Sequence, residues 1–232
     1  MENRTVMVGC PVRNRAWILP RYLECLLNLE HPGQELEFCF IINDCDDETP
    51  EILEQFVEQE TGRVKLIYKN LGRTDRHIRG AYSFARLAIL RNCLIEAFLD
   101  SKCAYLFSVD SDILVPSDTL RRLIDDNCDI ISAPVCNGHE LGDMSIYNVL
   151  ARNSNGYLVH IRDFPRDRIF PVDCTGAAYL LKRRVLEDPS IRYSSQMGAE
   201  DIGFCRAALD REFKIYCDGR LECVHTMREK RI

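Results

Sequence analysis

Five short apolar runs, each but the last followed by a stretch with helical spacing, limit what this chain can fold into. They are Thr5–Cys10, Phe38–Ile42, Val64–Tyr68, Tyr105–Phe107 and Asp129–Val135. Between them, apolar side chains recur at intervals of three and four. The sets are Leu23, Leu26 and Leu27; Ile52, Leu53, Phe56 and Val57; Phe84, Leu87, Ala88, Leu94, Ile95 and Phe98; and Leu120, Leu123 and Ile124. A strand-like run that alternates with an amphipathic helix predicts an α/β fold. Its sheet should be mixed but mostly parallel, flanked by helices, with right-handed crossovers. Prolines sharpen the boundaries. Pro11 should end the first strand, because it cannot donate to a sheet ladder. Pro20 and Pro50 suit first helical turns, with Thr49 as the N-cap of the second helix. A long helix is predicted over Ala81–Leu99 and a short one over Lys182–Leu186.

The rhythm breaks after Gly138. Tyr147–Arg152 and Tyr157–Arg162 flank Asn153-Ser154-Asn155-Gly156, a hairpin signal. Such an excursion suits either a second-substrate site or a subunit contact. Val172–Leu181 returns to the core, where Gly176, Ala177 and Ala178 allow either close approach of a ligand or tight packing. Phe213–Cys217 and Leu221–His225 read as closing strands. With 232 residues, one domain is expected.

Composition narrows the partners. A net charge of −6 with no long basic run argues against nucleic acid or an anionic membrane. No apolar stretch approaches the roughly 20 residues that span a bilayer. No signal-peptide h-region precedes the first strand. Twelve cysteines are present, with no Cys-x-x-Cys spacing. They read as reduced thiols of a cytoplasmic protein, peripheral to a membrane if associated with one, with disulfides as the alternative.

Chemistry concentrates where strands should end. Tyr105–Phe107 leads into Asp110-Ser111-Asp112. Open α/β sheets bind ligands at the carboxyl ends of their strands. Two carboxylates there can offer hard oxygens to Mg²⁺ or Mn²⁺ bridged to phosphates, or stand as solvated loop aspartates. The loop Pro11–Arg15 and the acidic run Asn43–Glu48 occupy equivalent places after strands one and two. Arg91 falls in the middle of a buried helical face. Its charge needs a partner there, either a core carboxylate such as Asp110 or a ligand phosphate. Glu200-Asp201 opens a helix, and His225 ends a strand.

In this order the stretches resemble the GT-A-fold glycosyltransferases, especially family 2. Val8–Asn14 is similar to that group's first strand and loop. Asn43–Thr49 resembles its acidic second loop, without an intact Asp-Asp-Gly-Ser lead. Asp110-Ser111-Asp112 resembles its metal motif, and Arg91-Asn92 a pair on the preceding helix. Glu200-Asp201 with the late His225 resembles its Glu-Asp and histidine pair. Residues 138–170 match least.

The resemblance implies transfer of a sugar from a UDP- or GDP-sugar to a sugar, lipid or protein hydroxyl. Residues 1–137 would form the nucleotide-sugar half and residues 138–232 the acceptor half. Pro11, Arg13, Asn14 and Asp44 would hold the nucleoside, and Arg91 the diphosphate or Asp110. Asp110 would meet ribose or metal. Asp112 and His225 would complete a Mn²⁺ or Mg²⁺ site. Asp201 would act as general base in an inverting reaction, with Glu200 orienting the acceptor or the base. A homo-oligomer is left open. Two other readings stand beside it. One is a sugar nucleotidyltransferase, disfavoured by the lack of a glycine run after strand one. The other is a non-catalytic nucleotide- or sugar-binding module of the same fold.

Overall fold

The computed structural model describes residues 5–31, 36–72, 83–138 and 142–226. Its elements in chain order are β1 (Val6–Val12), α1 (Leu19–Leu27), β2 (Glu37–Ile42), α2 (Thr49–Gln59), β3 (Val64–Tyr68), α3 (Phe84–Leu99), β4 (Tyr105–Val109), β5 (Ile113–Leu114), α4 (Thr119–Asp125) and β6 (Ile130–Ser132). There follow β7 (Leu150–Arg152), β8 (Leu158–His160), β9 (Ile169–Val172), β10 (Ala178–Lys182), α5 (Arg183–Leu186), α6 (Glu200–Asp210), β11 (Ile215–Asp218) and β12 (Val224–His225).

Eight strands form the main sheet in the order β3-β2-β1-β4-β10-β6-β11-β9. β1 to β4 run parallel, β10 is antiparallel to both neighbours, β11 is parallel to β6, and β9 is antiparallel. This is the mixed, mostly parallel sheet that the alternation of strand and helix predicts. β5 pairs with β12, and β7 with β8, in two small antiparallel ribbons. The β7–β8 ribbon is the expected hairpin.

Strand periodicity splits the core into two layers. Val6, Val8, Cys10 and Val12 of β1 face α1, α2 and α4. Met7 faces the opposite layer, with Leu94, Ile95 and Phe98 of α3 and Phe204 of α6. Gly9 shares that second face, where an added Cβ would come within 3.1 Å of Leu94 Cδ1. The chain lays β2 and β3 on one side of β1, then returns to place β4 on the other. That reversal opens a crevice at the carboxyl ends of β1 and β4.

Local expectations need correction at five places. β1 runs through Pro11 to Val12, paired with β2. Pairing with β4 has already stopped at Gly9, so the ring nitrogen falls on an edge that needs no donor. Thr49 is not a side-chain N-cap. Its hydroxyl accepts from the Arg15 amide at 2.7 Å, and Asp47 Oδ1 receives the Thr49 amide instead. Leu27 leaves the apolar stripe of α1 and is 44% exposed. Phe84, the first residue of α3, is exposed as well. α3 begins at Phe84 after Ser83, whereas Ala81, together with Arg73, Arg76, His77 and Arg79, lies outside the described residues.

Candidate active site

The cleft at the reversal point has a volume of about 440 Å³. Seven residues singled out from sequence line it: Pro11, Arg91, Asp110, Asp112, Glu200, Asp201 and His225. They arrive from the ends of β1, β4 and β12, the start of α6 and the middle of α3.

Arg91 is the hub. Its Nη2 donates to Asp110 Oδ1 at 2.8 Å and its Nε to Glu200 Oε1 at 3.0 Å, with Asp201 Oδ1 3.9 Å away. Both alternatives posed for Arg91 thus resolve first into a core salt bridge. Burial works against its charge, but Asp110 and Asp201 outweigh it and hold the guanidinium well above its ordinary pKa. The neighbouring Asn92 explains the second half of that sequence pair. It exchanges two hydrogen bonds with the Tyr193 backbone, at 3.0 and 2.9 Å. That places the Tyr193 ring 5.7 Å from the Arg91 guanidinium carbon.

Glu200 and Asp201 are adjacent in sequence and opposite in circumstance. The Glu200 side chain is 4% accessible and committed to Arg91. The Asp201 side chain is 25% accessible, and its Oδ1 has no hydrogen-bond partner among the described residues. Burial first, then the charges of Glu200 and Asp110, raise its carboxyl to about 7 against the pull of Arg91. A carboxylate that exchanges its proton near neutrality is suited to acid–base work.

Gly176, Ala177 and Ala178 turn beneath Asp201. Ala177 adopts φ +66°, and its carbonyl accepts the Asp110 amide at 2.8 Å. The turn both lines the cleft and packs against Asp201, so the two readings of these small residues hold together. Asn148, buried at the foot of the hairpin, ties the region together. It donates to the Ala133 and Gly176 carbonyls and accepts from the Val135 amide. On the opposite side, the Tyr22 hydroxyl donates to the Val109 carbonyl at 2.7 Å and fixes the end of β4 just before Asp110.

Arg13, Asn14 and Asp44 do not line the cleft. They sit at the ends of β1 and β2, where Asn14 and Asp44 brace loops. Asn14 Oδ1 accepts the Asp46 amide, and Asp44 Oδ2 accepts the Leu71 amide. Asn14 and Asp44 both hold left-handed backbone, at φ +53° and +43°, which short polar side chains tolerate better than most.

A divalent cation needs oxygen or imidazole donors that converge. His225 Nε2 lies 3.9 Å from Asp112 Oδ2, too far for a hydrogen bond but near enough for both to share one ion. His225 Nδ1 is buried without a hydrogen-bond partner among the described residues. This donor pair fits such an ion, with phosphate and water completing it. Among the described residues, no cluster of three or more His, Cys, Asp or Glu side chains is arranged as a closed metal site. Arg15 Nη2 contacts Asp112 Oδ2 at 2.9 Å. Arg15, Asn148, His160 and Thr175 are cleft residues that sequence reasoning missed. Arg15 sits in the same loop as Arg13, but only the packed loop shows which arginine turns inward.

Residues 1–154 match the family model described as Anp1. The chain belongs to the Anp1 family. It is 27% identical over 144 residues to the mannan polymerase II complex anp1 subunit of Schizosaccharomyces pombe, covering 54% of this chain and 34% of that protein. It is 25% identical over 231 residues to human procollagen-lysine,2-oxoglutarate 5-dioxygenase 2, covering 94% of this chain and 29% of that one. The chain thus spans about a third of the length of these curated relatives.

Among solved structures, Staphylococcus aureus TarS 1–349 in complex with UDP-GlcNAc superposes with a TM-score of 0.61 at 16% identity, over 97% of this chain and 59% of that one. GalNAc-T7 with UDP, GalNAc and Mn²⁺ does so with a TM-score of 0.69 at 13% identity, over 99% and 45%. This Anp1-family chain therefore has the GT-A-type fold expected from its sequence. No helix among its described residues is long and apolar enough to cross a membrane.

Proposed function

We propose that this chain is a glycosyltransferase domain that moves a sugar from a nucleoside-diphosphate donor to an acceptor hydroxyl, aided by a divalent cation. One observation carries the reading. Asp110, Asp112, Glu200, Asp201, Arg91 and His225 converge on one cleft, in a fold shared with proteins solved with UDP-GlcNAc and with UDP and Mn²⁺.

The donor lies across the carboxyl ends of β1 and β4. Pro11 lines its pocket, and Arg13, Asn14 and Asp44 shape the loops around the nucleoside. Asp110, with one oxygen on Arg91, is assigned the ribose or the cation, and Asp112 and His225 would hold the cation. When bound, the cation offsets charge that grows on the leaving diphosphate. Arg91 braces Asp110 and Glu200, and through Glu200 it fixes the first turn of α6, which carries Asp201. Asp201 removes the proton from the acceptor hydroxyl as that oxygen attacks the anomeric carbon. This single displacement inverts the sugar's configuration. Residues 1–137 serve the donor. Residues 138–232, with the β7–β8 hairpin and its His160 at the cleft, serve the acceptor. The twelve cysteines are read as reduced thiols of a cytoplasmic protein.

Calorimetric titration of UDP and GDP, each with and without Mn²⁺, tests this reading. Binding of one nucleotide that strengthens with Mn²⁺ is expected, and it names the donor class. Folded protein that binds neither nucleotide would leave the non-catalytic module as the better account.

A further inference from the structure

A cation of the protein's own already sits on the carboxylate that the proposed donor site gives to a metal. Arg15 Nη2 and Asp112 Oδ2 are 2.9 Å apart, with 15% and 18% of the two side chains accessible. The Arg15 backbone is anchored away from the cleft. Its amide donates to Thr49 Oγ1 at 2.7 Å, and the next amide, of Ala16, donates to Asp47 Oδ2 at 3.1 Å. The guanidinium is held much less completely. Among the described residues it reaches, besides Asp112, only the Arg13 carbonyl, through Nη1 at 3.2 Å, and its buried Nε has no acceptor there. A buried N–H left without an acceptor carries its desolvation cost uncompensated. The fork therefore has more donors than the protein here supplies acceptors. Phosphate oxygens match such a fork in geometry and charge.

The same Asp112 oxygen faces His225 Nε2 at 3.9 Å. A divalent ion held by Asp112 and His225 and a guanidinium resting on Asp112 are like charges at one carboxylate, so each weakens the hold of the other. A diphosphate reverses this, because its oxygens can accept both cations at once.

We infer that Arg15 is a diphosphate-binding residue that covers Asp112 until donor and divalent cation arrive together. This rests on the donor-site reading above. With no diphosphate present, Arg15 neutralises Asp112 and keeps affinity for the free ion low. With diphosphate present, the guanidinium leaves the carboxylate for a phosphate oxygen, Asp112 and His225 would be left to hold the ion, and each ligand would raise affinity for the other. That coupling is reciprocal by linkage.

The test uses Mn²⁺ alone and inorganic pyrophosphate, titrated calorimetrically into the full chain and into Arg15→Gln and Arg15→Lys. Arg15→Gln should bind Mn²⁺ alone about threefold more tightly, as expected for loss of a partly exposed ion pair. The same variant should bind pyrophosphate at saturating Mn²⁺ about tenfold or more weakly, as expected for a lost charged hydrogen bond. Arg15→Lys keeps the charge without the fork. It should match the parent for Mn²⁺ alone and still bind pyrophosphate less tightly. If the parent binds pyrophosphate with Mn²⁺ and folded Arg15→Gln matches it in both titrations, the role of Arg15 is overturned and the donor site stands. If the folded parent binds neither pyrophosphate nor a nucleoside diphosphate with Mn²⁺, the donor-site reading fails and this inference falls with it.

Discussion

Gly176 is a glycine because of Asp201: a Cβ at position 176 would lie within 2.8 Å of Asp201 Cγ. The backbone turn that holds Asp110 and the carboxylate proposed as base thus press on each other directly. Gly176→Ala should displace the Asp201 side chain and lower kcat about 100-fold, the scale set by misplacing a reacting group by about an ångström. Mn²⁺ affinity should stay within a few-fold, because Asp112 and His225 lie elsewhere in the cleft. Steady-state kinetics beside Mn²⁺ titration checks this. Equal losses in both would mean that the turn had collapsed.

Asp201 sets the pH response. As the proposed base it must be ionised, so the transfer rate should climb through about pH 7, where its carboxyl titrates. Asp201→Asn should cost about 10²- to 10⁴-fold in kcat with donor affinity little changed. The sign for stability is opposite. The folded-state pKa of about 7 lies above the ordinary 3.8, so the folded chain binds this proton more tightly than the unfolded chain. The stabilising contribution is fully present below about pH 4 and is lost as pH rises through 7. Asp201→Asn should therefore unfold at a higher temperature than the parent at pH 8, with the gap narrowing at pH 5. Calorimetric scans at the two pH values read this directly. A gap that widened at pH 5 would show that burial does not raise this carboxyl.

Arg91 carries the stability of the site as well as its geometry. Arg91→Leu strands Asp110 and the nearly inaccessible Glu200 without their cation. Removing one partner of a buried pair costs about 3–5 kcal/mol, measurable by urea unfolding at pH 7. Arg91→Lys should recover only part of that. A point charge cannot reproduce the separate Nε and Nη2 contacts at 3.0 and 2.8 Å.

Asp112→Asn removes one of the two donors proposed for the cation. Mn²⁺ affinity in the presence of nucleotide should fall at least about tenfold. Unfolding free energy should move by under about 1 kcal/mol, because the Arg15 pair it breaks is partly exposed. Unchanged Mn²⁺ binding would take Asp112 out of the metal's reach.

The strand–helix rhythm, the hairpin after residue 138 and the four carboxylates that line the cleft were legible in the sequence. They depend on periodicity, turn chemistry and residue type, and a linear pattern records those. Asp110, Asp112, Glu200 and Asp201 could be named because they stand where strands or helices begin or end, and such ends meet at one edge of an α/β sheet. What each does could not be read in the same way. Glu200 and Asp201 are neighbours of the same charge; only packing buries one against Arg91 and leaves the other to titrate near neutrality. Arg13 and Arg15 are two residues apart in one loop. Only the fold turns Arg15 onto Asp112, because the Thr49 hydroxyl that anchors it belongs to α2, 34 residues further along the chain. Pro11 and Thr49 obeyed local rules less well, since pairing on a second strand and a bond to a distant loop overrode them. Residue type and spacing determined the elements and the chemistry available. Contacts between residues far apart in sequence decided which charged group meets which, and so which one is free to react.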